Sequence, residues 1–377
     1  MARSRYVSRQ VHRWLVCLPH EVSERYDPNS QRDCSLITTW KGKSMTRVTT
    51  PATSDTGSSG RLNYLDPSVQ SSLYRNGKLL IKRNSDGSDT GMEGVAFDER
   101  QLTVHNARLL DGGDRRSVDA NGFELLTRPL QRPDLSFFDH QEVIQEYYRQ
   151  CTEIVSEATG TSSVFAFDHN VRSASGKQSQ RRVRGGQEVQ GPARMAHGDY
   201  TLRSAPERLR QLAQPPRGND TLRSILEEGQ SLIEPEKAER VLNAGGRFSI
   251  INVWRNIAAE PVATHPLALC DAQSVTPEDL VVFEIHYQDR IGENYFSKHA
   301  SRHQWYYYPA MTRDEAMLIK QWDSAGLLAR SEGRQADSDD TQAPCTFSFH
   351  TAFADPSTPP DAPERWSIEV RCIAMFE

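Results

Sequence analysis

The stretch "MAHGDYT" places a histidine and an aspartate two residues apart, His197 and Asp199. On an extended chain, side chains two apart project from the same face and can share one metal ion. On a helix they diverge by about 200° and cannot. The spacing alone is weak in a chain with 11 histidines, and a second instance, His140-Gln141-Glu142, is present. The surroundings separate the two. Ile144, Tyr147, Tyr148, Cys151, Ile154, Val155 and Ala158 recur at helical spacing, and Gly160 ends the run. His140 and Glu142 therefore fall on a first helical turn and cannot chelate together.

A further candidate ligand lies downstream. In "TFSFHTAF", Thr346, Ser348, His350 and Ala352 share one face of a strand, and Phe347, Phe349, Thr351 and Phe353 share the other. The phenylalanines take the packed side, so His350 points inward. In "ERWSIEVRC", Arg365, Ser367, Glu369 and Arg371 share one face, opposite Trp366, Ile368, Val370 and Cys372. Inward arginines need anions, because an unpaired buried charge is costly. Arg371 can find one in Glu369 or another acid, as a structural salt bridge.

Two histidines and one carboxylate on one face leave three positions open on Fe(II). A 2-oxo acid can chelate at two of them and O₂ can take the third. The distal carboxylate then needs a planar charged donor beside a hydroxyl, which Arg365 and Ser367 supply from one strand. The order His-x-Asp, distant His, Arg-x-Ser is that of non-haem iron oxygenases using 2-oxoglutarate.

Other residues divide between site and scaffold. Arg255 and Trp254, being neighbours on a strand, face opposite ways; Arg255 either holds an anion, cofactor or substrate, or sits in a structural ion pair. His303, Trp305 and Tyr307 share a face that either lines a substrate mouth or packs. His169 reads as a satisfied loop histidine.

The elements that must position these residues are mostly strands. "KLLIKR", "QLTVHNARLL", "SSVFAFDH" (162–169), "RFSIINVWRNI" (247–257), "DLVVFEIHY", "HQWYYYPAM" (303–311), "CTFSFHTAF" (345–353) and "ERWSIEVRCIAMF" (364–376) have strand character. Residues 139–158 and two or three short runs within 205–244 read as helices. "TRDEAMLIKQWDS" reads as another, with a Thr312-x-x-Glu315 capping box and Asp323-Ser324 closing it. A Gly/Arg/Gln-rich loop is expected over about 172–193 and a polar insertion over about 328–343. Many strands with few helices between them predict a mainly β domain with flanking helices, a double-stranded β-helix or jelly roll, over residues 62–377. Residues 1–61 end in a Ser/Thr/Gly stretch with no apolar period and are expected to be disordered.

Bulk properties narrow the function classes. The 377 residues carry a net charge of −5, with no global attraction for nucleic acid or anionic membrane. No stretch approaches the roughly 18 apolar residues of a membrane span. The six cysteines form no Cys-x-x-Cys pair, which argues against a zinc or redox motif of that type and suits a reducing, cytoplasmic setting. Arg3, Arg5, Arg9 and Arg13 faintly resemble a presequence, but the apolar run behind them is short and Glu21 follows.

From about residue 62 to 376 the chain resembles a fungal and bacterial family of hydroxylases and desaturases, related to a cephamycin C-7 methoxylation protein and to fungal meroterpenoid oxygenases. The resemblance rests on "NGFELL", "VFAFDHNVR", "HGDYT", "INVWR", "PLALCDAQSV", "HQWYYYPAMTRDEAMLIKQWDS" and "FHTAFADP…APERWSIEVR", in that order. It implies His197, Asp199 and His350 as ligands of Fe(II), and Arg365 and Ser367 as the grip on 2-oxoglutarate. The implied activity is hydroxylation, desaturation or ring closure of a small secondary metabolite with O₂, and a homodimer is left open as the assembly. "WRN" and "HQW" replace the family's usual "WRP" and "HRW", so Asn256 and Gln304 are positioned to reshape a substrate pocket. Two rival readings stay open: the same iron triad without 2-oxoglutarate, as an oxidase or isomerase, and a metal-binding jelly roll without catalysis. Zinc hydrolysis would leave the Arg-x-Ser unexplained.

Overall fold

A computed structural model describes residues 57–376 except 84–88, 111, 218–219, 244 and 289. The disorder expected over most of the N-terminal 61 residues lies outside the described residues. Strands dominate what is described. In chain order they are β1 (Gly57–Leu65), β2 (Leu80–Arg83), β3 (Asp89–Glu93), β4 (Phe97–Asn106), β5 (Phe123–Thr127), β6 (Val164–Arg172), β7 (His197–Gly198), β8 (Arg247–Asn256), β9 (Leu267–Cys270), β10 (Leu280–His286), β11 (Ile291–Ser297), β12 (Trp305–Tyr307), β13 (Glu315–Asp323), β14 (His350–Ala352) and β15 (Ser367–Phe376). The α-helices are short: α1 (His140–Glu142), α2 (Tyr148–Thr159), α3 (Ala174–Gln178), α4 (Ser204–Leu212), α5 (Pro235–Asn243) and α6 (Leu327–Arg330), with a π turn, Val143–Tyr147, joining α1 to α2.

Two sheets form the body, as the jelly-roll expectation requires. The larger runs β1-β4-β12-β9-β14-β7-β11-β10-β2-β3 and the smaller β5-β13-β8-β15-β6. β8 and β15 are buried along nearly their whole length because both faces are covered. On the outer face, Ile251, Val253, Ile368 and Val370 pack under Cys151, Ile154 and Val155 of α2. On the inner face, Trp254 packs with Phe123, Leu267, Leu269, Met317 and Ile319. The phenylalanines near β14 take the third side: Phe347, Phe349 and Phe353 join Tyr64, Tyr295, Trp305 and Tyr307 behind the larger sheet. This is the packed side expected for them, and it turns His350 inward. It also assigns Trp305 and Tyr307 to packing; Trp305 Nε1 donates to Tyr64 Oη at 2.6 Å, and His303 lies 3.0 Å from Asp279.

Four expectations are corrected. Residues 312–324 do not form a helix. Glu315 does cap Thr312, whose backbone N–H donates to its carboxylate at 2.8 Å, but the chain then enters β13. Ala316 through Asp323 are all buried, which leaves no polar helical face, and pairing with β5 and β8 overrides the helix-forming composition. Asp323 accordingly ends a strand and pairs with Arg247 and Lys320. Order begins before Leu62, since Gly57–Arg61 already pair with β4. The insertion at 328–343 holds part of α6 and a 3₁₀ turn, Asp337–Asp339, anchored by buried Asp337 accepting from Leu328 N and Thr346 Oγ1. His169 lies on strand β6 rather than in a loop, satisfied by Tyr148 Oη at 2.8 Å. No described helix is long and apolar enough to cross a membrane.

Candidate active site

β7 and β14 are neighbours in the larger sheet, and His197 and His350 are direct cross-strand partners. Their rings lie 4.3 Å apart, centroid to centroid. His197 Nδ1 donates to the Met195 carbonyl at 2.7 Å, which turns Nε2 inward. Asp199 Oδ1 lies 3.6 Å from that Nε2. One ligand atom from each of His197, Asp199 and His350 falls within 4.8 Å of the others, the group among the described residues suited to holding a metal ion. Gly198, between the two ligand-bearing residues, has a positional reason. A Cβ there would meet the Phe347 ring at 3.0 Å, so glycine lets this short strand lie against the aromatic layer.

The electrostatics suit a divalent first-row metal. Burial, with His197 alongside, pushes the His350 imidazole down to about 3, so it is neutral and its lone pair is available. Burial alone would raise the Asp199 carboxyl, but the Arg371 guanidinium, aided by the Asn252 hydrogen bond, outweighs it and holds the group well below the usual carboxylate range. Two neutral imidazoles and one carboxylate are the donor set of an iron facial triad.

The smaller sheet supplies the opposite wall. Cross-strand pairing puts Arg172 opposite Ser367, Asn170 opposite Glu369, and Asp168 and Asn252 on either side of Arg371. Arg365 and Ser367 are almost fully buried, and their partners are informative by omission: Arg365 Nε and Ser367 Oγ have no hydrogen-bond partner. Arg365 Nη1 donates to the His265 carbonyl, and the guanidinium lies 5.8 Å from the Trp254 ring. Burial, then Arg172, pushes Arg365 down to about 9, the mark of a cation short of an anion. Leaving a buried donor unmatched costs about 1–3 kcal/mol, and more when it is charged. An unmatched guanidinium N–H and an unmatched hydroxyl two residues apart are the donor types that the distal carboxylate of 2-oxoglutarate calls for.

Arg371, four residues beyond Ser367, is engaged instead. It donates to Asp168 Oδ2 at 3.0 Å, Glu369 Oε1 at 3.2 Å and Asp199 Oδ2 at 3.3 Å. The salt-bridge reading of Arg371 holds, with the addition that one partner belongs to the triad.

Arg255 is not brought to this site. It projects from β8 toward the helix layer, donating from Nε to Tyr147 Oη at 2.9 Å and from Nη1 to the carbonyls of Arg128 and Arg313, each at 2.7 Å. Its Nη2 lacks a partner, but on the side away from the triad. The cofactor-binding expectation for Arg255 is therefore corrected, and so is the ion-pair alternative, since its recorded partners are a phenol and two carbonyls. The reason is the strand period: Asn252 and Trp254 take the inner face, so Arg255 takes the outer one.

Two residues beside the triad escape sequence reasoning. Asn252 Nδ2 donates to Asp199 Oδ2 at 3.0 Å. Gln321 Oε1 accepts from Asp199 N at 3.0 Å, and its Nε2 lies 3.5 Å from His350 Nδ1. Gln321 sits at the register shift between Lys320 and Trp322, and a bulge there re-aims its side chain. The helical reading of 312–324 hid it.

Residues 62–375 match the family model described as Oxidoreductase/YMDC permease-like domain. The chain is 30% identical over 308 residues to the alpha-ketoglutarate-dependent dioxygenase phiK of a fungal species, covering 78% of this chain and 92% of that protein. It is 43% identical over 196 residues to "Uncharacterized protein in dcmA 3'region" of Methylophilus leisingeri, covering 52% of this chain and 89% of that protein. Its fold is similar to that of the iron and alpha-ketoglutarate-dependent endoperoxidase NvfI, with a TM-score of 0.62, 22% identity, and coverage of 86% of this chain and 99% of that one. The fold, the buried His/Asp/His group and these relatives define an oxidoreductase of the iron- and 2-oxoglutarate-dependent dioxygenase class. Within that class the chain belongs to the Oxidoreductase/YMDC permease-like domain family.

Proposed function

We propose that His197, Asp199 and His350 hold Fe(II), that Arg365 and Ser367 hold the distal carboxylate of 2-oxoglutarate, and that the enzyme oxidises a small secondary metabolite. One observation carries the reading. Two buried donors, Arg365 Nε just ahead of β15 and Ser367 Oγ at its first residue, lack acceptors, and β15 goes on to send Arg371 to the triad carboxylate. The same triad without 2-oxoglutarate, or a metal-binding scaffold, leaves both donors unexplained.

When bound, iron supplies the activation of O₂ that couples oxidation of 2-oxoglutarate to succinate and CO₂ with attack on a substrate C–H bond. The protein's own groups prepare that chemistry. The Met195 carbonyl fixes the His197 tautomer, so Nε2 carries the lone pair. Burial keeps His350 neutral, and Arg371 keeps Asp199 ionised. Arg365, buried beside the Trp254 ring, neutralises the cosubstrate's far end. Whether the product is hydroxylated, desaturated or cyclised depends on how the substrate is held against this site.

Names among the relatives support a secondary-metabolite substrate: hydroxylase/desaturase efuI of Hormonema carpetanum and aspirochlorine biosynthesis protein N of Aspergillus oryzae are two. Four buried free cysteines support a reducing, cytoplasmic setting. Anaerobic addition of Fe(II) and 2-oxoglutarate tests the reading. A visible metal-to-ligand charge-transfer band, followed by succinate release on admitting O₂, is the expected result; absence of the band overturns it.

A further inference from the structure

The two oxygens of Asp199 have different surroundings. Oδ2 accepts from Asn252 Nδ2 at 3.0 Å and from Arg371 Nε at 3.3 Å. Oδ1 faces His197 Nε2 at 3.6 Å. Both donors reach across from the smaller sheet, where Asn252 and Arg371 are direct cross-strand partners on β8 and β15. Arg371 in particular is held in place. Asn252 is fully buried, and Arg371 is tied through its other nitrogens to Asp168 and Glu369.

A carboxylate oxygen offers about two lone-pair sites. With both on Oδ2 engaged by donors, a metal ion approaching Asp199 finds its free lone pairs on Oδ1. We propose that Arg371 and Asn252 are positioning residues that restrict Asp199 to one-atom coordination, so that an ion held by His197, Asp199 and His350 keeps three positions for exchangeable ligands. The inference rests on the metal-triad reading above. Its consequence is specific: a carboxylate free to grip through both oxygens would take a position that a chelating 2-oxo acid or O₂ requires.

Mn(II) bound to the metal-free full chain tests this without turnover. The water-proton relaxivity per bound Mn(II) follows the number of water molecules on the ion. Asn252→Leu keeps the side chain's branched shape and removes the donor. Arg371→Lys keeps the charge and loses the fork. In each variant Asp199 is expected to close onto the ion through both oxygens, lowering relaxivity per bound ion by about one third as one of three waters is lost. Relaxivity unchanged in Asn252→Leu, or in a folded Arg371→Lys, overturns the proposal. A different result overturns the metal-triad reading itself: Mn(II) binding that is absent from the wild type, or that survives in His197→Ala and His350→Ala.

Discussion

His197 and His350 stand directly opposite each other across the antiparallel β7–β14 pair, their ring centroids 4.3 Å apart. A shared cation would give so close a pairing of imidazoles its purpose. His197→Ala and His350→Ala are therefore expected to abolish turnover and lower metal affinity at least ~100-fold while the sheets persist. Asp199→Ala also abolishes turnover, and costs about 1–3 kcal/mol of stability because buried Asn252 and Arg371 lose an acceptor. Calorimetric metal titration and circular dichroism of the three variants check this. Full activity in Asp199→Ala would sink the assignment.

The second prediction concerns the cosubstrate grip. Arg365→Lys removes a planar fork from a desolvated site. Its expected cost is roughly 2–5 kcal/mol of 2-oxoglutarate binding, or about 30- to 4,000-fold in the apparent constant, with metal affinity little changed. Ser367→Ala removes one neutral hydroxyl and costs less, about 0.5–1.5 kcal/mol. Steady-state titration of 2-oxoglutarate ranks the two. A larger effect from serine than from arginine would show that the arginine serves another anion.

Arg255 supplies the contrasting case. Its partners are Tyr147 Oη and two backbone carbonyls in the helix layer. Arg255→Lys should lower unfolding free energy by about 1.5–3 kcal/mol for lost charged hydrogen bonds. The apparent constant for 2-oxoglutarate should stay within about twofold of the wild type, a difference of under 0.5 kcal/mol. Urea unfolding and cosubstrate titration, run side by side, separate the roles; a large rise in that constant would return Arg255 to the site.

How far the sequence reaches depends on which strands have one wet face and which have none. His197 with Asp199 was legible because two-residue spacing needs only extended backbone. The inward turn of His350 followed from the phenylalanines beside it, and the Arg365-Ser367 pair from the polar alternation that begins at Arg365 and continues into β15. Arg255 was not legible: β8 is buried on both faces, so alternation marks opposite sides without saying which is inner. β13 was misread because Glu, Ala, Met, Leu, Lys and Gln are good helix formers, and only pairing with β5 and β8 decides otherwise. The Arg371–Asp199 contact runs between sheets, and spacing along one strand carries no signal for it.

The last prediction uses a histidine remote in role from the triad. His169 is buried on the outer face of β6, bonded to Tyr148 Oη and 5.2 Å from the His140 ring, centroid to centroid. Burial pushes its imidazole from the ordinary 6.5 down to about 4. The unfolded chain takes up this proton near pH 6.5, whereas the folded protein resists until near pH 4. Folding is therefore favoured by this group above pH 6.5, and the advantage is lost as pH falls from 6.5 through 4. The difference amounts to about 3 kcal/mol across that window. Replacing His169 with Gln keeps a polar partner for Tyr148 and removes the titration. Stability of the metal-free variant, followed by urea unfolding in chelator at several pH values, should fall less steeply between pH 6.5 and 4 than that of the wild type. Parallel slopes in the two proteins would assign the acid sensitivity elsewhere, and His140, whose imidazole burial also pushes down, is the next residue to replace.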